Sequence, residues 1–224
     1  MIEKTLSVGP FQCNCRILVC PKTGDGLLVD PGDESDVILQ EIQAIEAQLG
    51  RSVRVRYLLH THGHLDHIGG TRGVKEGLQG SAPTIALHRE DQQLYQNLQM
   101  QGNLFGIKFA NPLPVDHFLE DNETLQVGEM KLSIVHTPGH SPGSVCIRLH
   151  EDSNLKIPET LFSGDTLFQG SVGRTDLWGA NQEQMFSSIR KRILVLDDDT
   201  RVCPGHGPNT SIGLEKRENP FLSR

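Results

Sequence analysis

The stretch THGHLDHIGG, residues 61–70, places His62, His64, Asp66 and His67 within six residues and sets Gly63, Gly69 and Gly70 around them. In a chain of 224 residues with 10 histidines, that density points to chemistry rather than packing. His62 and His64 are two positions apart, so in an extended turn they project to the same side and can grip one ion. Asp66 and His67 come later in the turn and can face a second ion. The glycines let the backbone turn tightly and approach the ligands. Two ions need more donors than one turn supplies, and His140, Asp165 and His206 complete the count. Imidazole nitrogens with carboxylate oxygens suit zinc, and also iron or manganese. A carboxylate can bridge two ions, and Asp165 is the natural candidate. Such a set leaves positions open for water, the mark of a catalytic rather than a structural site.

These residues need elements to hold them. Apolar alternation or short apolar runs mark strands at 15–20, 26–30, 53–60, 83–88, 130–136, 144–149 and 160–164. VRVRYLLH runs straight into the histidine cluster, MKLSIVHTPGH into His140, TLFSGD into Asp165 and TRVCPGH into His206. Four segments thus deliver metal-competent side chains at their C-terminal ends, where ligand sites tend to lie. Helical spacing marks 35–49 through Ile38, Ile42, Ile45 and Leu49, and 182–196 through Met185, Ile189, Ile193 and Leu196. Weaker helical signals cover 67–79 and 89–100. With no internal repeat, low-complexity segment or linker, residues 1–224 read as a single domain.

Composition narrows the function classes. Hydrophobic residues at 36% and charged residues at 22% suit a soluble globular chain with a sizeable core. No apolar run approaches the length of a membrane span, and MIEKTLSVGP lacks the layout of a signal peptide, so a cytoplasmic location and no membrane partner are expected. A net charge of -7, with RKR at 190–192 the densest basic run, argues against nucleic acid as a partner. Five scattered cysteines read as reduced thiols, and Cys13-x-Cys15 without a second pair is a poor zinc knuckle.

The spaced set His62-x-His64-x-Asp66-His67, then the histidine of TPGHSPGS, the aspartate of FSGDTLF and the histidine of PGHGP, resembles the metallo-β-lactamase fold superfamily. The resemblance implies an α/β fold, a four-layer αββα sandwich, and NCRILV and LLVDPGD resemble its N-terminal strands. GDTLFQGSVGRTD and the ending EKRENPFLSR are similar to the glyoxalase II group, the hydroxyacylglutathione hydrolases. Only 18 residues follow His206, which resembles the short, one-domain members. What this implies is two zinc ions per chain, one held by His62, His64 and His140, the other by Asp66, His67 and His206, with Asp165 shared. Asp66 and Asp165 carry the catalytic assignment. The implied reaction is hydrolysis of a small-molecule thioester, glutathione-linked such as S-D-lactoylglutathione, by a metal-bound hydroxide. Arg174, in GVGRTD, matches the position of a basic glutathione contact, while pairing with Asp176 is its plain structural alternative. Lys216 and Arg224 resemble basic positions near the family's C-terminus.

Three other readings compete. Persulfide dioxygenases share the fold and the histidine pattern, using one iron on positions corresponding to His62, His140 and Asp165. Nucleic-acid processing is opposed by the acidic balance. A non-catalytic binding module is opposed by the seven donors. His60, His88, His117, His136 and His150 are read as structural or solvent-facing, and Trp178 as a loop or pocket-rim aromatic.

Overall fold

The computed structural model describes residues 1–78 and 80–222. The chain forms two compact units, Met1–Phe118 with Gln126–Glu129, and Leu119–Leu125 with Met130–Arg224. In the first unit the order is β1 (Ile2–Val8), β2 (Cys13–Val19), β3 (Asp25–Val29), α1 (Ser35–Leu49), β4 (Arg54–Leu59), α2 (Leu65–Ile68), α3 (Thr71–Gly77), β5 (Thr84–His88), α4 (Gln92–Gln96) and α5 (Leu98–Leu104). β6 (His117–Leu119) closes its sheet. Among the described residues that sheet runs β1-β2-β3-β4-β5-β6, antiparallel at β1-β2-β3 and parallel at β3-β4-β5.

The helix expected over 35–49 is α1 at those bounds, with Ile38, Ile42 and Ile45 buried. It stops at Gly50, whose left-handed φ of 63° directs its N–H back to the carbonyls of Ala47 and Glu46, the usual role of a glycine after a helix. Its three isoleucines pack with Ile17, Val55 and Leu58 in the core of this unit. β2 and β3 are buried along nearly their whole length, which is why they read as apolar runs rather than clean alternations.

The second unit holds β7 (Thr124–Val127), β8 (Met130–His136), β9 (Val145–Leu149), β10 (Thr160–Gly164), β11 (Leu167–Phe168), β12 (Ser171–Val172), α6 (Gln182–Ser188), β13 (Arg201–Pro204), β14 (Thr210–Ser211) and α7 (Ile212–Glu218). Among the described residues its main sheet runs β14-β13-β10-β9-β8-β7, with β10 and β13 parallel. Met185, Ile189 and Ile193 pack on Leu161, Val202 and Ile212 to form its core.

Three helical expectations are adjusted. The signal over 67–79 is two short helices, α2 and α3, because Gly69-Gly70 interrupts it and the Gly70 N–H bonds instead to the carbonyls of Pro31 and Gly32 (3.0 and 2.9 Å). The signal over 89–100 divides into a single 3-10 turn, α4 and α5, breaking at Asn97. The helix over 182–196 is α-helical only to Ser188 and then becomes a π turn, Ile189–Ile193, with the Leu194 N–H on the Ile189 carbonyl at 2.9 Å. β1 lies outside the expected strands: its pattern is weak because it is an edge strand paired only to β2.

Candidate metal centre

In the first unit, β4 ends at Leu59 and the chain turns through His62 and His64 into α2, which carries Asp66 and His67. The imidazoles of His62 and His67 lie 4.1 Å apart between centroids, and those of His62 and His64 4.7 Å. The His67 Nε2 and an Asp66 carboxylate oxygen approach to 3.7 Å. His62, His64 and His67 are buried, while Asp66 keeps some exposure.

Behind these side chains is a buried scaffold. Asp30, at the end of β3 with a left-handed φ of 52°, accepts from the Thr61 N–H (2.8 Å) and the Thr61 hydroxyl (2.7 Å). The same carboxylate lies 3.0 Å from His67 Nδ1. The His67 N–H is therefore on Nδ1, and the lone pair on Nε2 is turned toward Asp66. The Thr61 hydroxyl donates to Asp30, so at 3.1 Å it accepts from His62 Nδ1, which places the His62 lone pair on Nε2 as well. Cys13 Sγ lies 3.6 Å from His67 Nδ1; burial pushes this thiol up to about 12, so it sits there as a neutral packing group.

The ligand turn is clamped from a second side. Buried Asp91 accepts from the Gly63 N–H at 2.8 Å. Buried Gln101 accepts from the Leu65 N–H at 3.0 Å and donates to the carbonyls of Gly63 (3.0 Å) and Leu94 (2.8 Å). Gly32 completes the cradle: a Cβ there would fall 1.7 Å from the Asp66 carbonyl oxygen.

In the second unit, β8, β10 and β13 lead to His140, Asp165 and His206. One Asp165 oxygen lies 3.6 Å from His140 Nε2 and the other 3.7 Å from His206 Nε2. A single carboxylate thus addresses two imidazoles, one with each oxygen. His140 Nδ1 donates to the Arg174 carbonyl at 2.9 Å, again leaving Nε2 as the donor atom for an ion. The loops are tied together by Gly205 N–H to the Gly164 carbonyl (2.9 Å) and by the hydroxyls of Thr137 and Thr166 (3.2 Å). Gly139, at φ 148°, passes so close to α6 that a Cβ would lie 2.3 Å from Met185 Cα.

Both sets fit metal chemistry. The donors are imidazole nitrogens and carboxylate oxygens, buried or nearly so, with His62, His67 and His140 each held in the tautomer that offers Nε2. Asp30, Thr61, Asp91 and Gln101 form the hydrogen-bonded scaffold behind these donors, and motif reading passed them over. Asp30 carried a signal, since it stands in LLVDPGD; Asp91 and Gln101 had none, because a lone polar residue in a helical segment reads as surface.

The remaining assignments sort cleanly. Arg174 forms a two-pronged pair with Asp176 (2.7 and 2.8 Å), both side chains well exposed. Lys216 bonds to Asp198 and the Leu196 carbonyl, and Arg224 lies outside the described residues. His60 is buried on the Thr71 hydroxyl at 3.2 Å and burial holds it down to about 4, so it is a neutral structural group. His136 and His150 bond to the Pro142 carbonyl and the Ser133 hydroxyl. Trp178 is 60% exposed on a loop. All five cysteines are buried and stand outside any disulfide.

The profile of the metallo-beta-lactamase superfamily matches residues 8–206. Hydroxyacylglutathione hydrolase GloC of Haemophilus influenzae is 35% identical, covering 97% of this chain and 96% of that protein. The probable metallo-hydrolase YqgX of Bacillus subtilis is 37% identical over 98% of this chain and 97% of its own length. Among solved structures, BLEG-1 B3 metallo-beta-lactamase superposes with a TM-score of 0.86 at 33% identity over the whole of both chains. TTHA1623 in a di-iron-bound form does so with 0.80 at 37% identity, over 98% of this chain and all of that one. The chain belongs to the metallo-beta-lactamase superfamily, as a metal-dependent hydrolase of that fold.

Proposed function

We propose that this protein is a binuclear thioester hydrolase that acts as one domain over residues 1–224 and cleaves glutathione thioesters such as S-D-lactoylglutathione. The observation that carries the reading is Asp165, whose two oxygens each face a different histidine, an arrangement that suits a carboxylate shared between two ions. The GloC relative supports the substrate class. In this reading His62, His64 and His140 hold one ion, and Asp66, His67 and His206 the other, with Asp165 common to both. Zinc suits the donors, and iron or manganese also fit them.

Bound ions of this kind lower the pKa of a coordinated water from 15.7 to about 7 and polarise a carbonyl. The chain's own residues do the rest. Asp66 and Asp165 orient the attacking water and receive its hydrogen. Asp30, through Thr61 and directly, keeps His62 and His67 turned inward, and the Arg174 carbonyl does so for His140. The Arg174 guanidinium exchanges Asp176 for a substrate carboxylate, a small cost because exposed ion pairs are weak. The thiolate leaves without a dedicated acid, since a thiol pKa near about 8.5 makes it a fair leaving group.

The test is elemental analysis of protein purified without added metal, paired with two assays. Two ions per chain and cleavage of S-D-lactoylglutathione are expected, with no oxygen uptake on glutathione persulfide. One iron per chain with oxygen consumption and no thioester cleavage would replace this reading by the persulfide dioxygenase.

A further inference from the structure

The densest basic run of the chain, RKR at 190–192, has no part in the site described above. It lies on the π turn Ile189–Ile193, whose two isoleucines are buried and whose three cations project outward. π turns are concentrated at functional positions because they reset the direction of side chains within a helix. Arg192 is engaged by Asp121, at 2.7 and 3.0 Å. Arg190 and Lys191 have no carboxylate partner among the described residues. Instead they line a groove of about 930 Å³ with Phe186, Phe221 and Glu183. The Arg190 guanidinium lies over the Phe186 ring, 5.7 Å from its centroid, and Phe221 is 48% exposed.

This groove adjoins a smaller cavity of about 220 Å³, with Gln182, Phe186 and Phe221 lining both. The smaller cavity reaches Val172, Gly173, Arg174 and Thr175. That segment touches the metal-competent residues of the same unit. The Arg174 carbonyl holds His140, and a Cβ on Gly173 would fall 1.8 Å from the Asp165 carbonyl oxygen. A trough of two adjoining hollows therefore runs from the Arg174 segment to an aromatic platform that carries two cations and the opposing charge of Glu183.

We propose that this trough binds the carrier of an acyl thioester, and that its outer end accepts a phosphorylated ring system, so that acyl-coenzyme A thioesters are substrates alongside glutathione thioesters. The proposal rests on the thioester reading above. The pairing of chemistries decides the class. Phe186 and Phe221 offer flat apolar faces to a purine, and Arg190 and Lys191 match phosphate charge. A glutathione carrier has neither a ring nor a phosphate to use this end. In the step, water adds its oxygen to the acyl carbon, the carbon–sulfur bond breaks, one proton of water goes to the leaving thiolate, and the products are a carboxylic acid and free coenzyme A.

The decisive measurement compares S-lactoyl-coenzyme A with S-lactoyl-pantetheine, which share the reacting centre and differ only in the nucleotide end. In the native chain kcat/KM is expected to favour the coenzyme A thioester by about tenfold, one charge-assisted contact's worth, with the preference shrinking as salt rises. Arg190→Ala with Lys191→Ala should bring that ratio close to one. Glu183→Gln, which removes the opposing charge, should lower KM for the coenzyme A thioester, a change of sign that general damage to the fold does not produce. Cleavage of S-D-lactoylglutathione with a native ratio of one overturns this proposal alone. Should no thioester be cleaved, the thioester reading falls, and calorimetry with adenosine 3′,5′-bisphosphate decides the groove: saturable heat lost in the double variant retains it as a nucleotide-phosphate site, and no heat overturns it.

Discussion

At the scale of single residues, the site is as much a matter of the groups behind the donors as of the donors. Asp30 contacts Thr61 twice and His67 once, all at 3.0 Å or less. Asp30→Ala should therefore weaken metal affinity by about 10- to 100-fold, the usual effect of losing an outer hydrogen-bond partner. Competition with a chromophoric chelator reads this directly. Asp165→Ala should lower occupancy at both proposed ion positions, whereas His206→Ala should empty mainly one; a fully active Asp165→Ala protein with two ions would end the bridging assignment. Arg174→Ala should raise KM for S-D-lactoylglutathione about tenfold with little change in kcat, as expected when uniform binding is lost.

Between residue and domain, the elements that matter are short. Gln101, on the seven-residue α5, ties two backbone groups of the ligand turn, Gly63 and Leu65, to α4. Gln101→Ala leaves buried polar groups without their partner and should cost about 1–3 kcal/mol in chemical denaturation. In the second unit, Asp121 is subject to burial, which raises its pKa, but hydrogen bonds and charge from Arg192 and the His136 N–H overcome this and hold it below the usual range. A carboxylate depressed in the folded state stabilises above its unfolded pKa and loses that contribution as pH falls through its folded pKa. Asp121→Asn should thus flatten the acid limb of the stability curve, by less than about 1 kcal/mol for a partly exposed pair. The strands that lead to the proposed ligands were legible because apolar runs end at histidines and an aspartate. α1 was legible because its isoleucines repeat on one face and Gly50 stops it. The breaks at Gly69-Gly70 and Ile189 were not, because they depend on bonds to Pro31 and Gly32 and on an i to i+5 pattern that side-chain spacing does not encode. Asp91 and Gln101 escaped for a similar reason: their partners in the turn around the histidines are backbone groups 28 to 38 positions away.

For the molecule as a whole, thiols give a simple check. Five cysteines are buried and none stands in a disulfide, so a thiol reagent should find close to none in the folded chain and five after denaturation. No helix among the described residues is long and apolar enough to cross a membrane. Metal is expected to stabilise as well as catalyse: an ion present at 100 times its dissociation constant adds about 2.7 kcal/mol. Chelation should lower Tm, and readdition of zinc should restore it.

The donors assigned to the two proposed ions are nitrogen and oxygen only. Such a set lacks the thiolates by which a protein selects soft metals, and affinities for first-row divalent ions then follow their common order. The polypeptide thus does little to choose its own ion, and the choice passes to the supply. Protein drawn from iron-rich and zinc-rich cultures would share every residue yet differ in colour and in tolerance of oxidants, so the growth medium becomes part of the enzyme's specification.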